Sequence, residues 1–228
     1  RQGWMSPFAI LGLLSGLALA WLIWMLPRDP AVDPSAPGIW LNFQHIWRSP
    51  PALAGLAVGL LATAANEVVN LVFGVWMEQG FGLQIAALGG SAAVIGLAEL
   101  GGESLVGALV DRLGKKRAIG IGLAANGLAA LALPLLGRNI PGALAGLFLF
   151  YLTFEFTLVS TIPLMTELLP AARATLMAMN VSSLSLGRAL GALVAAPLYQ
   201  GSILFCALAA LVFNLLALLA LRTIRVQA

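Results

Sequence analysis

Charge is what this sequence has least of. Lys, Arg, Asp and Glu make up 9% of its 228 residues, whereas a soluble domain carries about 25%, so too little charge is available to solvate a globular surface. Cysteine occurs once, at Cys206, which excludes an intrachain disulfide and a cysteine metal cluster. Histidine also occurs once, at His45, so a histidine zinc site is excluded and no cofactor is expected. Neither H-E-x-x-H nor G-x-S-x-G is present, and no second histidine could serve a serine or metal mechanism, so the chain does not read as an enzyme. Ten-residue alternation of polar and apolar positions is missing too, which argues against membrane strands. The net charge of +3 does not indicate nucleic acid, because the cations are dispersed among loops rather than gathered in a patch.

What the sequence has instead is apolar length: 61% of residues are hydrophobic and the mean hydropathy is +0.98. A helix rises about 1.5 Å per residue, so about 20 apolar residues cross a hydrocarbon core of about 30 Å. Seven stretches qualify: Pro7–Leu26, Pro51–Met77, Ile85–Val110, Arg117–Leu136, Pro141–Leu168, Arg173–Leu198 and Ser202–Leu221. The fold class this implies is an all-α membrane protein with seven transmembrane helices. The small-residue pairs Gly12–Gly16, Gly55–Gly59, Gly142–Gly146 and Gly187–Gly191 predict tight helix contacts. No A-x-A-like site follows the first stretch, so it reads as a mature span and not as a signal peptide. The chain opens on Arg1 rather than methionine, which reads as the C-terminal part of something longer.

Orientation comes from the loop Gly107–Arg117, G-A-L-V-D-R-L-G-K-K-R, which lies between the third and fourth stretches. Its cations Arg112, Lys115, Lys116 and Arg117 mark a cytoplasmic turn. Arg28, Arg48, Arg173, Arg222 and Arg225 then fall on the same side, against Arg1 and Arg138 on the other, which places the C-terminus in the cytoplasm. Three parts are expected: residues 1–26 as one membrane helix, 27–50 as a cytoplasmic linker, and 51–228 as a six-helix bundle. Within the linker, Pro30, Pro34, Pro37 and Gly38 favour extended chain, and Ile39–Arg48 reads as a short interfacial helix. His45 reads there as an interfacial residue with a wet ring, the alternative being a pH sensor.

Ionisable residues inside a span are costly and suggest function. Span two holds Glu67 with Asn66 and Asn70, and span three holds Glu99 and Glu103 on one face. Span five holds Glu155 one turn after Tyr151, and span six holds Arg188 one turn after Ser185. Spans one, four and seven have no charge in their cores, where Asn126 and Asn214 are the strongest polar groups. With the last six spans taken as two triads, charge lies on the first and second helix of each and never on the third. That pattern suggests two three-helix repeats whose first and second members face a pathway. Glu103, close to the cytoplasmic end, reads as structural. Four glutamates against one arginine cannot all stay charged in low dielectric, so Glu67, Glu99, Glu155, Arg188, Asn66 and Asn70 are the proton-coupling or cavity candidates, with a buried structural pairing the equal alternative for Glu155 and Arg188.

The run Gly107-x-Leu109-x-Asp111-Arg112-x-Gly114-Lys115-Lys116-Arg117 resembles the G-x-L-x-D-R-x-G-R-K loop motif of the major facilitator superfamily. Glu167-Leu168-Leu169-Pro170-Ala171-Ala172-Arg173 is similar to the E-x-x-P-x-x-R turn of its efflux-type members. The resemblance covers nearly the whole chain. It implies that the seven spans match helices 6–12 of a twelve-helix fold, and that an N-terminal bundle of the same polypeptide is the missing partner. It further implies a cytoplasmic charge network of Asp111, Arg112, Glu167 and Arg173 that latches conformations. Gly107 would let helices approach, Gly114 would allow positive φ, and Asp111 would cap a helix or pair with arginine.

The expected function is alternating-access export of a small solute coupled to protons, a drug:proton antiporter-like activity in the lipid bilayer of a bacterial plasma (inner) membrane. An uncoupled solute facilitator and a non-transporting membrane scaffold are the alternatives.

Overall fold

The structure is a computed structural model that describes residues 6–26 and 38–224, and helices account for nearly all of them. In order they are α1 (Ser6–Met25), α2 (Ile39–Trp47), α3 (Pro50–Asn70), α4 (Phe73–Phe81), α5 (Ile85–Leu113), α6 (Lys115–Leu136), α7 (Ile140–Leu168), α8 (Arg173–Gly201) and α9 (Ile203–Thr223), with a 3₁₀ turn at Pro170–Ala172. Seven segments are long and apolar enough to cross a membrane, α3 and α4 together counting as one. The protein is therefore an integral, multi-pass membrane protein. Residues 27–37 of the linker expected over 27–50, and the loop cations Arg1, Arg28 and Arg225, lie outside the described residues.

The chain divides into two compact units, Arg1–Pro37 and Gly38–Ala228. In the first, α1 is a single apolar helix. A side chain added at Gly12 or Gly16 would meet nothing within 4 Å, so within this unit that pair makes no tight contact.

The second unit begins with α2, whose Ile46 is fully buried among Ala52, Leu56, Met165, Ala172 and Leu176. Its Trp40 and Trp47 stay exposed, and Phe43 stacks on Trp40 and meets Trp47 edge-on. His45 is exposed. The helix expected over Ile39–Arg48 thus forms, with one buried face and one aromatic face. Ser49 then caps α3, its Oγ accepting from the Ala52 amide at 3.4 Å, with proline in the first turn.

The sequence predicted one continuous span over Pro51–Met77. Instead the helix breaks at Leu71–Val72, where the Val72 amide bonds Val69 O, a tighter i→i−3 turn, before α4 resumes. Pro134, Pro163 and Pro197 sit within α6, α7 and α8, as membrane helices tolerate.

The six long helices of this unit interdigitate. If α3, α5 and α6 form one triad and α7, α8 and α9 the other, each leading helix packs on the trailing helices of the opposite triad. Thus α3 lies against α8 and α9, and α7 lies against α5 and α6. The contacts α5–α7, α7–α3 and α3–α8 make a row of four helices, backed by α6 and α9, which pack on each other. The starts of α3, α6 and α8 and the ends of α5, α7 and α9 form one end of the unit, here the basic end.

Candidate functional site

Glycine seams determine which polar residues meet. On α8, a Cβ built at Gly191 would fall 2.6 Å from Ala64 O and 2.8 Å from Glu67 Cβ, and one at Gly187 would strike Leu60 and Thr63. On α5, a Cβ at Gly102 would fall 2.7 Å from Leu152 O and 2.8 Å from Glu155 Cβ. Only glycine lets the backbones come this close. Each leading helix therefore carries a glutamate at a close approach to the opposite triad: Glu67 on α3 and Glu155 on α7.

Around Glu67 the polar groups form a chain. Tyr151 Oη on α7 donates to Asn70 Oδ1 at 2.8 Å, and Asn70 Nδ2 donates to the Glu67 carboxylate at 3.3 and 3.4 Å. Tyr151 is 2% exposed and Glu67 is half-buried. One turn earlier, Thr63 Oγ1 lies 3.1 Å from Leu184 O of α8, and Ser183 Oγ donates to Leu56 O at 2.6 Å, which stitches the α3–α8 seam. Asn66 is 7% exposed, and among the described residues its Oδ1 has no hydrogen-bond partner.

A second set of charges gathers on the α5–α7 side. Glu155 is within electrostatic reach of Glu99, Glu103 and Arg188, and Tyr151 is within reach of Glu99 and Glu67. Glu99 and Glu155 are half-buried, while Glu103 and Arg188 are exposed. Among the described residues, none of these four glutamates nor Arg188 forms a salt bridge. Glu67, Glu99, Glu155 and Arg188 each lie near the middle of their spans, which is where an ionisable side chain is most costly to hold.

The backing pair is tied differently. Asn214 Nδ2 donates to Asn126 Oδ1 at 2.8 Å, and Asn126 Nδ2 donates to Phe150 O at 2.8 Å, joining α9, α6 and α7. Both asparagines are buried and bonded, so these helices hold polar groups without presenting charge.

At the basic end, Gly114 takes φ 82° between α5 and α6, a conformation glycine adopts freely. Lys115 pairs with Glu167, and Lys116 Nζ caps α9 through Arg222 O and Ile224 O. Arg173 Nε donates to Thr166 O at 2.8 Å. Glu167 thus takes Lys115 as its partner and not Arg173, and among the described residues neither Asp111 nor Arg112 forms an ion pair. Two of the readings of this loop need correction. Asp111 caps no helix, since Gly114 occupies the cap of α6 without a side-chain bond. Gly107 makes no close approach, because a side chain there would meet nothing within 4 Å.

Three parts of this arrangement escaped the sequence. The adjacent glycines Gly101–Gly102 lack the four-residue spacing by which seams are recognised. The Tyr151–Asn70 bond joins residues 81 positions apart. Asn126 and Asn214 stood out as polar, but nothing in their spacing paired them.

A sequence profile described as Major Facilitator Superfamily matches residues 1–192 and again residues 56–227. The chain is also similar to an uncharacterized MFS-type transporter, YceJ, of Bacillus subtilis (strain 168), with 26% identity over 201 residues that cover 87% of this chain and 51% of that one. The chain spans about half the length of this curated relative. With a profile match across most of its length and a helical fold among the described residues, the chain belongs to the Major Facilitator Superfamily.

Proposed function

We propose that this chain is half of the translocation machinery of a secondary active transporter, one that exports a small solute in exchange for protons by alternating access. The observation that carries this reading is the set of unpaired, half-buried carboxylates Glu67, Glu99 and Glu155 on the four-helix row. Carboxylates without a cationic partner in a membrane protein must border water or take up protons, and a group that does both can couple a proton to a conformational change. The family match and the MFS-type relative support transport over enzymatic chemistry. In this reading the basic end faces the cytoplasm of a bacterium, the membrane is the plasma membrane, and a second, N-terminal bundle of the same polypeptide completes the pathway. The Lys115–Glu167 pair and Arg173 would close that end, and Asn66 would line the cavity.

The test uses the full-length protein in proteoliposomes with an imposed pH gradient and a trapped pH dye. Addition of a transported solute should move protons, and Glu67→Gln, Glu99→Gln or Glu155→Gln should weaken that coupling at least tenfold. If solute moves equally well with and without the gradient in all four proteins, the chain is an uncoupled facilitator. If no solute moves or raises the melting temperature, it is a scaffold.

A further inference from the structure

The basic end contains a groove in which Arg117 and Arg222 have no part in the transport reading. A cavity of about 1180 Å³ opens among the ends of α5, α7 and α9 and the start of α6. Its floor is apolar, with Val110, Leu164 and Leu221 buried and Leu218 half-buried. Its charged residues are four cations, Lys115, Lys116, Arg117 and Arg222, against two carboxylates, Asp111 and Glu167. Two of the cations are occupied, Lys115 by Glu167 and Lys116 by the closing carbonyls of α9. Arg117 and Arg222 are exposed and, among the described residues, form no ion pair.

We infer that this groove binds the headgroup of an anionic phospholipid. The depth fits, because α6 begins at Lys115 and α9 ends at Thr223, so the groove lies where the spanning helices end and headgroups begin. The chemistry fits in both halves. Arginine presents a planar fork that meets phosphate oxygens two at a time, and the leucine floor below accepts the start of an acyl chain. A soluble anion would use the arginines and leave the floor wet, whereas an amphiphile covers both. Basic pockets between membrane helices are a recurrent place for such headgroups. The partner is therefore the membrane itself, held at one specific seam that joins the motif loop to the end of α9.

The experiment places the full-length protein in nanodiscs of phosphatidylcholine, with or without phosphatidylglycerol, and reads the melting temperature and the lipid retained in native mass spectrometry. Phosphatidylglycerol should raise the melting temperature and be retained. Arg117→Gln and Arg222→Gln should each weaken retention about fivefold, the loss expected for one basic contact near the surface. Arg48→Gln, at the same end but outside the groove, should leave retention unchanged. The double variant in phosphatidylcholine alone should melt as the parent does, which separates lost lipid from lost folding. Four results would overturn the proposal: equal behaviour in both lipids; an Arg48→Gln loss as large as that at Arg117; inorganic phosphate reproducing the full stabilisation, which makes the groove a free-anion site; or a phosphatidylglycerol response that appears only after truncation beyond Ile224, which assigns the groove to the chain's own tail.

Discussion

Glu155 leaves α7 directly over Gly102 of α5, its Cβ 2.8 Å from the point where a side chain at 102 would begin. Gly191 of α8 stands in the same relation to Glu67 of α3, also at 2.8 Å. The two glutamates of the leading helices are thus built into equivalent seams. A single methyl group at either glycine meets backbone as well as side chain, Leu152 O and Phe156 N at one and Ala64 O at the other. Backbone cannot rotate away, so the helices must part. Gly102→Ala and Gly191→Ala should each destabilise by about 1–3 kcal/mol, read as a lower melting temperature in detergent. Gly107→Ala, on the same helix as Gly102 but facing nothing within 4 Å, should be neutral or slightly stabilising, because alanine is the better helix former.

Tyr151 fixes Asn70, and Asn70 in turn holds the Glu67 carboxylate. Tyr151→Phe keeps the ring and its packing but leaves Asn70 Oδ1 without its donor. The expected cost is about 1 kcal/mol of stability. The functional loss should exceed that, because Asn70, no longer fixed by Tyr151, holds the Glu67 carboxylate less firmly. Solute transport should fall while the protein remains folded at the assay temperature. Transport equal to the parent's would separate Tyr151 from the mechanism.

Asn126 and Asn214 tie the backing pair together. Their bond joins α6 to α9, and Asn126 continues it to Phe150 O of α7. Asn126→Ala and Asn214→Ala should each destabilise, and the double-mutant cycle should return a coupling of about 0.6–1.7 kcal/mol, the range found for bonds between membrane helices. A coupling of zero would mean that each asparagine acts alone through carbonyls, Phe150 O for one and Ala210 O for the other.

The Lys115–Glu167 pair makes a different prediction, because both side chains are open to solvent, at 30% and 55% exposure. Exposed pairs contribute about 0–1 kcal/mol, so Lys115→Gln or Glu167→Gln should barely change the melting temperature. If the pair latches one conformation, the change appears in transport rate instead. The charge-swapped double variant Lys115→Glu with Glu167→Lys should restore what either single swap removes.

The spans were legible because hydrocarbon imposes one strong rule, about 20 apolar residues per crossing, and that rule is written in composition alone. It placed all seven crossings and the short helix Ile39–Trp47 close to where they form. The break at Leu71–Val72 was not legible, because both residues are apolar and neither is glycine or proline. Charge placement by triad was also readable, since a costly residue is visible wherever it sits. Its partners were not. The family resemblance grouped Asp111, Arg112, Glu167 and Arg173 in one charge network, yet Arg173 reaches back to Thr166 O and Glu167 takes Lys115 from another helix. Pairing of that kind depends on helix rotation, which a pattern of apolar residues leaves open when a helix is apolar nearly all round.

Arg188 supplies the last prediction, because it is the single cation on the four-helix row that Glu155 senses. Glu99 and Glu103 from α5 act on the same carboxylate, so Glu155 stands between two acidic groups and one guanidinium. Removing Arg188 leaves the carboxylates to repel one another, whereas removing Glu155 relieves part of that repulsion. Arg188→Gln should therefore destabilise, and Glu155→Gln added to it should recover part of the loss, with a coupling of about 0.5 kcal/mol or more in the double-mutant cycle. Transport separates this from a purely structural pairing. With a purely structural pair, the double variant regains both stability and pH-dependent transport. With Glu155 as a proton carrier, the double variant regains stability alone, because glutamine has no proton to give up, and the response to an imposed pH gradient stays flat.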